Sequence, residues 1–579
     1  KGNSLISDNN ISIIQNGIFT ACKIRNDCPP WSLKSKEIKH DKTKKSINYK
    51  DSWLQFYDVP IFYFPRFFHP DPTVKRQSGF LTPSLLTSST SGGSISIPYY
   101  KVISDNKDTT FTPRVYFNDD FSIQSEYRQV EKNTSHISDV SLKKLDVSTK
   151  SHFFSNTKNV LENNFDFSEI ELNLEKTSSD TYLKGDNIIS KTRNTNNQSL
   201  LNSYLKFDGT SEDLNISVEV AAFEDLTKEK DSDKFQYILP NFTISKLLNN
   251  SSDSKGTLNY EISGSSQKKN TNVSESFLIN DLIYKSNFFF SKFGTISNYE
   301  LEFKNSLKKG ENSNKYKNET QSENFSTFIF NSSIPLKKDY ENYYGNLSPK
   351  INARYSPNKS ENLSDLDRKI NITNIFSKNR LGLNDSLEGG KSITLGFDYD
   401  LKTKENKDFL KFSLGQIFRD TEDKKLPLTS KMQTKSSDIV GNFDFKPNSI
   451  FNINYDFSFD NNLETVNYTK IETQISVNNF VTSFDFLEEN DDIGSDSYLL
   501  SDIRYNFNEK NSVSYNTRRN RKTDLTEYYN LVYEYKNDCL IAGIEYNKEY
   551  YQDRDLKPSE QIFFSLTFTP FTTISTPSF

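Results

Sequence analysis

The chain has 579 residues, more than one compact core usually holds, so several domains or one very large barrel is expected. Its 72 Lys and Arg nearly balance 77 Asp and Glu, for a formal net charge of -5, which gives no support to a nucleic-acid binder. No stretch approaches the roughly 18 consecutive apolar residues of a transmembrane helix, which leaves a closed β-barrel as the way to cross a bilayer.

The apolar fraction is 34%, yet aromatics reach 14%, with 46 Phe and 31 Tyr. Codon bias accounts for part of this. A polar average rich in Phe and Tyr also suits strands that show one face to lipid and the other to water. The chain opens at Lys1 with no Met and no apolar leader after it, and reads as a processed or truncated piece.

Residues 1 to about 75 differ from the rest. They hold Trp31, Trp53, Cys22, Cys28 and six prolines from Pro29 to Pro72. Ile11-Ser12-Ile13 and Ile18-Phe19-Thr20 alternate as strands of a small β domain, with too few strands present to close a core alone.

From about residue 92 the chain reads as strand, turn, strand. Leu214, Ile216, Val218 and Val220 alternate with polar residues, as do Leu258, Tyr260 and Ile262. Ile393, Leu395, Phe397, Tyr399 and Leu401 repeat the pattern, followed by Phe451, Ile453, Tyr455, Phe457 and Phe459. Period-two spacing puts every second side chain on one face. Polar stretches lie between: Asn118 to Asp120 is short, and Lys304 to Gln321 reads as a long loop. Unequal connections are expected of outer-membrane barrels, and no fixed repeat points to a solenoid. Gln561 to Phe568 is a strongly apolar last strand, and the terminal Phe579 resembles the recognition end of bacterial barrels, with chance as the alternative.

Catalysis finds no motif: there is no His-Glu-x-x-His, no Gly-x-Ser-x-Gly and no phosphate loop. Only four His are present, none at ligand spacing, so neither a metal nor a cofactor is expected. Three cysteines, Cys22, Cys28 and Cys539, leave one thiol without an internal partner.

Several segments, in order, resemble the lipopolysaccharide-assembly family LptD. Asn16 to Cys22 and Cys28 to Leu33 resemble the end of its periplasmic β-jellyroll. Val59 to Pro65, running into Lys75-Arg76-Gln77-Ser78-Gly79-Phe80-Leu81-Thr82-Pro83, is similar to its link from jellyroll to barrel. Ile97-Pro98-Tyr99-Tyr100, Thr112-Pro113, Leu414-Gly415-Gln416, Ser437 to Gly441 and Tyr533 to Cys539 follow. Here one cysteine stands near the C-terminus, where the best-known members carry an adjacent pair.

The resemblance implies an all-β chain: the end of a jellyroll with its linker over 1–84, then a barrel of about 26 strands over 85–579. It implies outer-membrane placement in a Gram-negative bacterium, with the N-terminal part periplasmic, and a non-enzymatic function, passing lipopolysaccharide into the outer leaflet. A passive porin or a receptor-type transporter is the alternative. Its implied partners are outer-membrane lipid, a plugging lipoprotein of the LptE type and a periplasmic bridge protein of the LptA type. It also implies a bond from Cys539 to a jellyroll cysteine, with Cys22 at the matching position; a local Cys22–Cys28 bond stays open beside it. Pro98 and Pro113 match the family's lateral gate between first and last strands. They read as lying in the first two barrel strands, where a missing backbone donor weakens pairing; ordinary strand-end prolines are the alternative. Lys75 and Arg76, with Ser78 and Gly79, mark the junction, where the two cations attract phosphates or are simply solvated.

Overall fold

The computed structural model describes all residues except 1, 9, 24–28, 72–73, 75, 82, 89–91, 146–147, 163–164, 187, 189, 196, 250–254, 270–271, 386–387, 491, 551–557 and 569–579. Cys28, Lys75 and Phe579 therefore lie outside the described residues.

Alternating Ile, Phe and Trp near the N-terminus form a five-stranded antiparallel sheet in chain order: β1 (Ser4–Ser7), β2 (Ile11–Phe19), β3 (Trp31–Asp41), β4 (Ser46–Phe56) and β5 (Val59–Pro70). One face buries Trp31, Leu33, Ile38, Ile47 and Tyr49, and Cys539 and Leu540 from the far end of the chain complete that cluster.

The rest closes into an antiparallel barrel of 26 strands among the described residues. Two short pieces, β6 (Gly79–Phe80) and β7 (Ser84–Ser88), make the first strand. β8 (Gly92–Ser96) and β9 (Tyr99–Ser104) make the second. β10 (Lys107–Tyr116) and β11 (Phe121–Val130) are the third and fourth, and Ser559–Phe568 is the last. Alternation follows the pleat. Ile393 and Leu395 are exposed on the outside, while their neighbours Ser392 and Thr394 are buried against the lumen contents. Apolar side chains exposed on an outer wall are what a barrel sunk in hydrocarbon requires.

The expected loop from Lys304 is corrected: residues 304–311 belong to the 16-residue strand Ile296–Glu311, and only 312–320 connect onward. Lys304 and Lys308 face the lumen there. Lys304 pairs with Asp281 at 3.0 Å and Lys308 with Glu361, so charge inside a strand is compensated.

Because strands alternate in direction, the connections fall at two ends. The turn at 537–539 lies at the end that carries the five-stranded sheet, joined there by Cys539. The long connections 178–199, 357–389 and 420–438 all lie at the opposite end.

Candidate functional site

The ring closes where β7 meets the last strand. Among the described residues, Gln561–Ser565 pair with Ser84–Ser88. On its other edge the last strand pairs over all ten residues, Ser559–Phe568 against Leu540–Glu549. At one end of this ladder the first strand breaks between Phe80 and Ser84, and Pro83 stands in the break without a backbone donor. Each net backbone hydrogen bond contributes about 0.5–1.5 kcal/mol, so the seam is weakened at Pro83.

Pro98 and Pro113 lie one ladder away. Tyr99 faces Phe111 and Ser96 faces Arg114. The intervening Ile97-Pro98 and Thr112-Pro113 form no pair, although the register is continuous across them. Pro98 offers its carbonyl to the Leu81 N–H at 2.8 Å, and Pro113 sits opposite Ile123 of β11. The prolines thus stand in and between the second and third strands, where the first and second were expected. Residues 79–84, read from sequence as link, supply with 85–88 a strand ahead of them.

The junction is fastened to this wall. The Arg76 guanidinium donates to the Tyr100 hydroxyl at 3.1 Å, to the Asp105 carbonyl and to the Asp108 carboxylate. Arg128 donates to the other oxygen of Asp108 at 2.7 Å. The Val102 N–H donates to the Ser78 hydroxyl at 2.9 Å, and Gly79 pairs with Tyr100. Arg76 is therefore committed to the second and third strands.

On the other side of the seam a second anchor holds the five-stranded sheet. Of the two pairings left open by the sequence, the structure contains Cys22–Cys539, across 517 residues. Around it, the Trp31 indole donates to the Cys539 carbonyl at 3.0 Å and the Lys23 N–H to Asp538 at 2.9 Å. The Tyr57 and Tyr535 hydroxyls meet at 3.3 Å. The turn gripped in this way joins the two strands preceding the last, so the two anchors straddle the seam. Deeper in the sheet the Tyr49 hydroxyl meets His69 Nε2 at 2.6 Å. Burial pushes the His69 imidazole down to about 4 and the Tyr49 phenol upward, so this aromatic face carries no charge near neutrality.

The lumen is occupied at its far end by the chain's own loops. Leu363, Ile370, Ile375, Leu381, Leu383, Leu426 and Met432 from 357–389 and 420–438 pack on Ile417 and Val440 of the wall. Phe376 seats on the facing glycines Gly396 and Gly415; a Cβ at Gly396 would lie 2.7 Å from its ring. Ion pairs tie this cap to the wall from the thirteenth strand, through Lys378–Glu302 at 2.9 Å, to the twenty-first, through Lys369–Glu489 at 2.5 Å.

Sequence reading missed this cap, whose signal was the density of Leu and Ile in an otherwise polar connection. Its centre is Glu388, chelated by Arg380 and bonded by Arg419. Burial alone would raise the Glu388 carboxyl, but Arg380, Arg354 and Arg419 outweigh it and hold it down at about 2. A depressed carboxylate stabilises the fold above its ordinary pKa and loses that contribution as pH falls through the folded value. Hydrogen exchange in 357–389, corrected for intrinsic rate, is expected to speed up as pH drops from about 4.5 to about 2. Glu388→Gln should produce fast exchange already at neutral pH, because it leaves the arginines uncompensated.

A second inner cluster places Asp139, His152 and Ser141 in a chain under the loop 178–199. His152 lies 3.3 Å from Asp139 and 2.8 Å from the Ser141 hydroxyl, which Tyr182 meets at 2.7 Å. These groups resemble a hydrolytic set in kind only. All are buried, and Tyr182 occupies the approach to the serine, so they latch the loop to the wall. Among the described residues no His, Cys, Asp and Glu group is arranged to hold a metal.

The family described as LptD, LPS transport system D, matches residues 148–498. LPS-assembly protein LptD of Shewanella oneidensis is 36% identical over 130 residues, 21% of this chain and 16% of that protein. Its namesake in Nitrosospira multiformis is 32% identical over 138 residues, 24% and 14% respectively. These matches thus span well under a fifth of the relatives' own length. The FrpB iron transporter from Neisseria meningitidis aligns at TM-score 0.32 and 9% identity, over 86% of this chain and 82% of that one, too distant to bear on function. With more than half of its residues matched by the family's own pattern, the chain belongs to the LptD family.

Proposed function

We propose that this chain sits in the outer membrane of a Gram-negative bacterium and passes lipopolysaccharide into the outer leaflet through the seam between its first and last strands. The observation that carries this reading is the seam interrupted at Pro83 and flanked by two anchors of the N-terminal sheet. Lipopolysaccharide is an amphiphile whose acyl chains must stay out of water while its phosphorylated sugars cross a polar lumen. A sheet fixed beneath a partable seam delivers tails sideways into hydrocarbon, and a polar lumen accepts the head. The sheet would be periplasmic. In this reading a lipoprotein of the LptE type occupies lumen that the chain's loops leave uncovered. A bridge protein of the LptA type would join the assembly on the side of the five-stranded sheet.

Conditional depletion tests the reading. Surface lipopolysaccharide is expected to fall in step with loss of the protein, while newly made lipopolysaccharide accumulates inside the cell. Unchanged surface lipopolysaccharide in depleted cells would overturn the assignment.

A further inference from the structure

The hairpin that joins Val273–Ser286 to Ile296–Glu311 has no part in the seam, the anchors or the cap. It holds four phenylalanines that the protein leaves uncovered: Phe288 is 61% exposed, Phe289 46%, Phe290 73% and Phe293 90%. By strand alternation it lies at the end that carries the five-stranded sheet. It joins the twelfth and thirteenth of the 26 strands, across the ring from the seam. Phe289 and Phe290 extend the ladder against Ser297 and Ile296, which holds the tip in one direction.

Two observations indicate what covers these rings. First, Phe289 continues an aromatic row on the outer wall. Tyr284 and Tyr299 lie 5.9 Å apart, Tyr299 and Phe328 6.3 Å, and Phe289 stands 6.4 Å from Phe330. Second, the segment 287–295 contains Lys292 and no acid. Apolar rings beside a cation form the composition that settles at the boundary between acyl chains and anionic headgroups.

We propose that this hairpin is a lipid anchor, seating Phe289 and the tip ring of Phe293 at the headgroup–acyl boundary of the leaflet on the sheet side, with Lys292 near phospholipid phosphates. It rests on the reading of the chain as a membrane barrel. Its consequence is mechanical: the wall opposite the seam is held fixed, so displacement concentrates at the seam.

The test places single tryptophans by Phe293→Trp at the tip and by Phe303→Trp on the outer wall, where Phe303 is 55% exposed. Each full-length variant is inserted into vesicles of phosphatidylcholine and phosphatidylglycerol carrying brominated acyl chains. Its emission is read as the difference from the parent, which contains Trp31 and Trp53. The anchor predicts roughly a twofold loss of the emission added by Phe293→Trp, strongest with bromines near the headgroup, as for a ring at that boundary. The emission added by Phe303→Trp should be quenched most by bromines deep in the chains. Lys292→Glu in the tip variant should reduce quenching when phosphatidylglycerol is present. If the Phe303→Trp variant is quenched by bromolipid while the Phe293→Trp variant responds only to aqueous acrylamide, the anchor is wrong and the barrel reading stands. If neither variant responds to bromolipid, both fall.

Discussion

Oxidising a Leu86→Cys, Phe563→Cys double variant is expected to stop lipopolysaccharide from reaching the cell surface while leaving the barrel folded. The two positions face each other directly across the seam. The seam ladder is interrupted at Pro83, where a backbone bond that would contribute about 0.5–1.5 kcal/mol is missing, so it parts more readily there. A covalent bond across it removes that option. The matched control is Ser125→Cys with Val140→Cys, which also face each other, but within the wall between β11 and the strand Thr134–Lys144. That pair should crosslink without affecting surface lipopolysaccharide. Loss of transport in both variants would mean that the seam is not special, and normal transport in a fully oxidised seam variant would sink the lateral route. Pro98 and Pro113 enter the same argument from one ladder away. In the proposed route the unpaired stretch between the second and third strands would let the first two strands swing as a unit, whereas a fully bonded ladder would hold them flat against the wall.

The wall itself was legible from sequence because a strand with one face in lipid and one in a wet lumen must alternate. Ile393 to Leu401 could be read directly for that reason. The strand Ile296–Glu311 was missed at its far half because its lumen face carries Lys304 and Lys308 and its outer face includes Asn305. The acids that compensate those lysines, Asp281 and Glu361, come from other parts of the chain and leave no local pattern. The cap was invisible for a related reason: Leu363, Ile370, Ile375 and Leu381 pack with no period, because a loop wrapping a curved inner wall follows no regular pleat. The prolines were found, but their strand number shifted by one, because Gly79 to Ser88 is interrupted by Pro83 and lacks the length of a strand. The cysteine pairing was set by topology, which brings the 537–539 turn under the N-terminal sheet, a contact that spacing along the chain does not encode.

That pairing carries the second large expected effect. In the chain-entropy description, closing a loop of 517 residues is worth roughly 6 kcal/mol. The hydrogen bonds around it, from Trp31, the Lys23 N–H and Tyr57, each contribute about 0.5–1.5 kcal/mol. The disulfide therefore outweighs any one of its neighbours, and without it the sheet is held by those weaker bonds, by its packing with Leu540 and by the Arg76 clamp on the opposite flank of the seam. Cys539→Ser is expected to abolish the mobility change that reduction causes on a non-reducing gel. The sheet should swing away, exposing residues 71–79 to protease, while the barrel stays intact and surface lipopolysaccharide drops sharply. Cys28→Ser should behave as the parent in every assay. A Cys539→Ser protein whose linker stays protected and whose surface lipopolysaccharide is normal would show that the surrounding hydrogen bonds suffice. The sheet would then be positioned by those bonds and by the packing of its Trp31 cluster with Leu540, with the sulfur bridge adding nothing that transport requires.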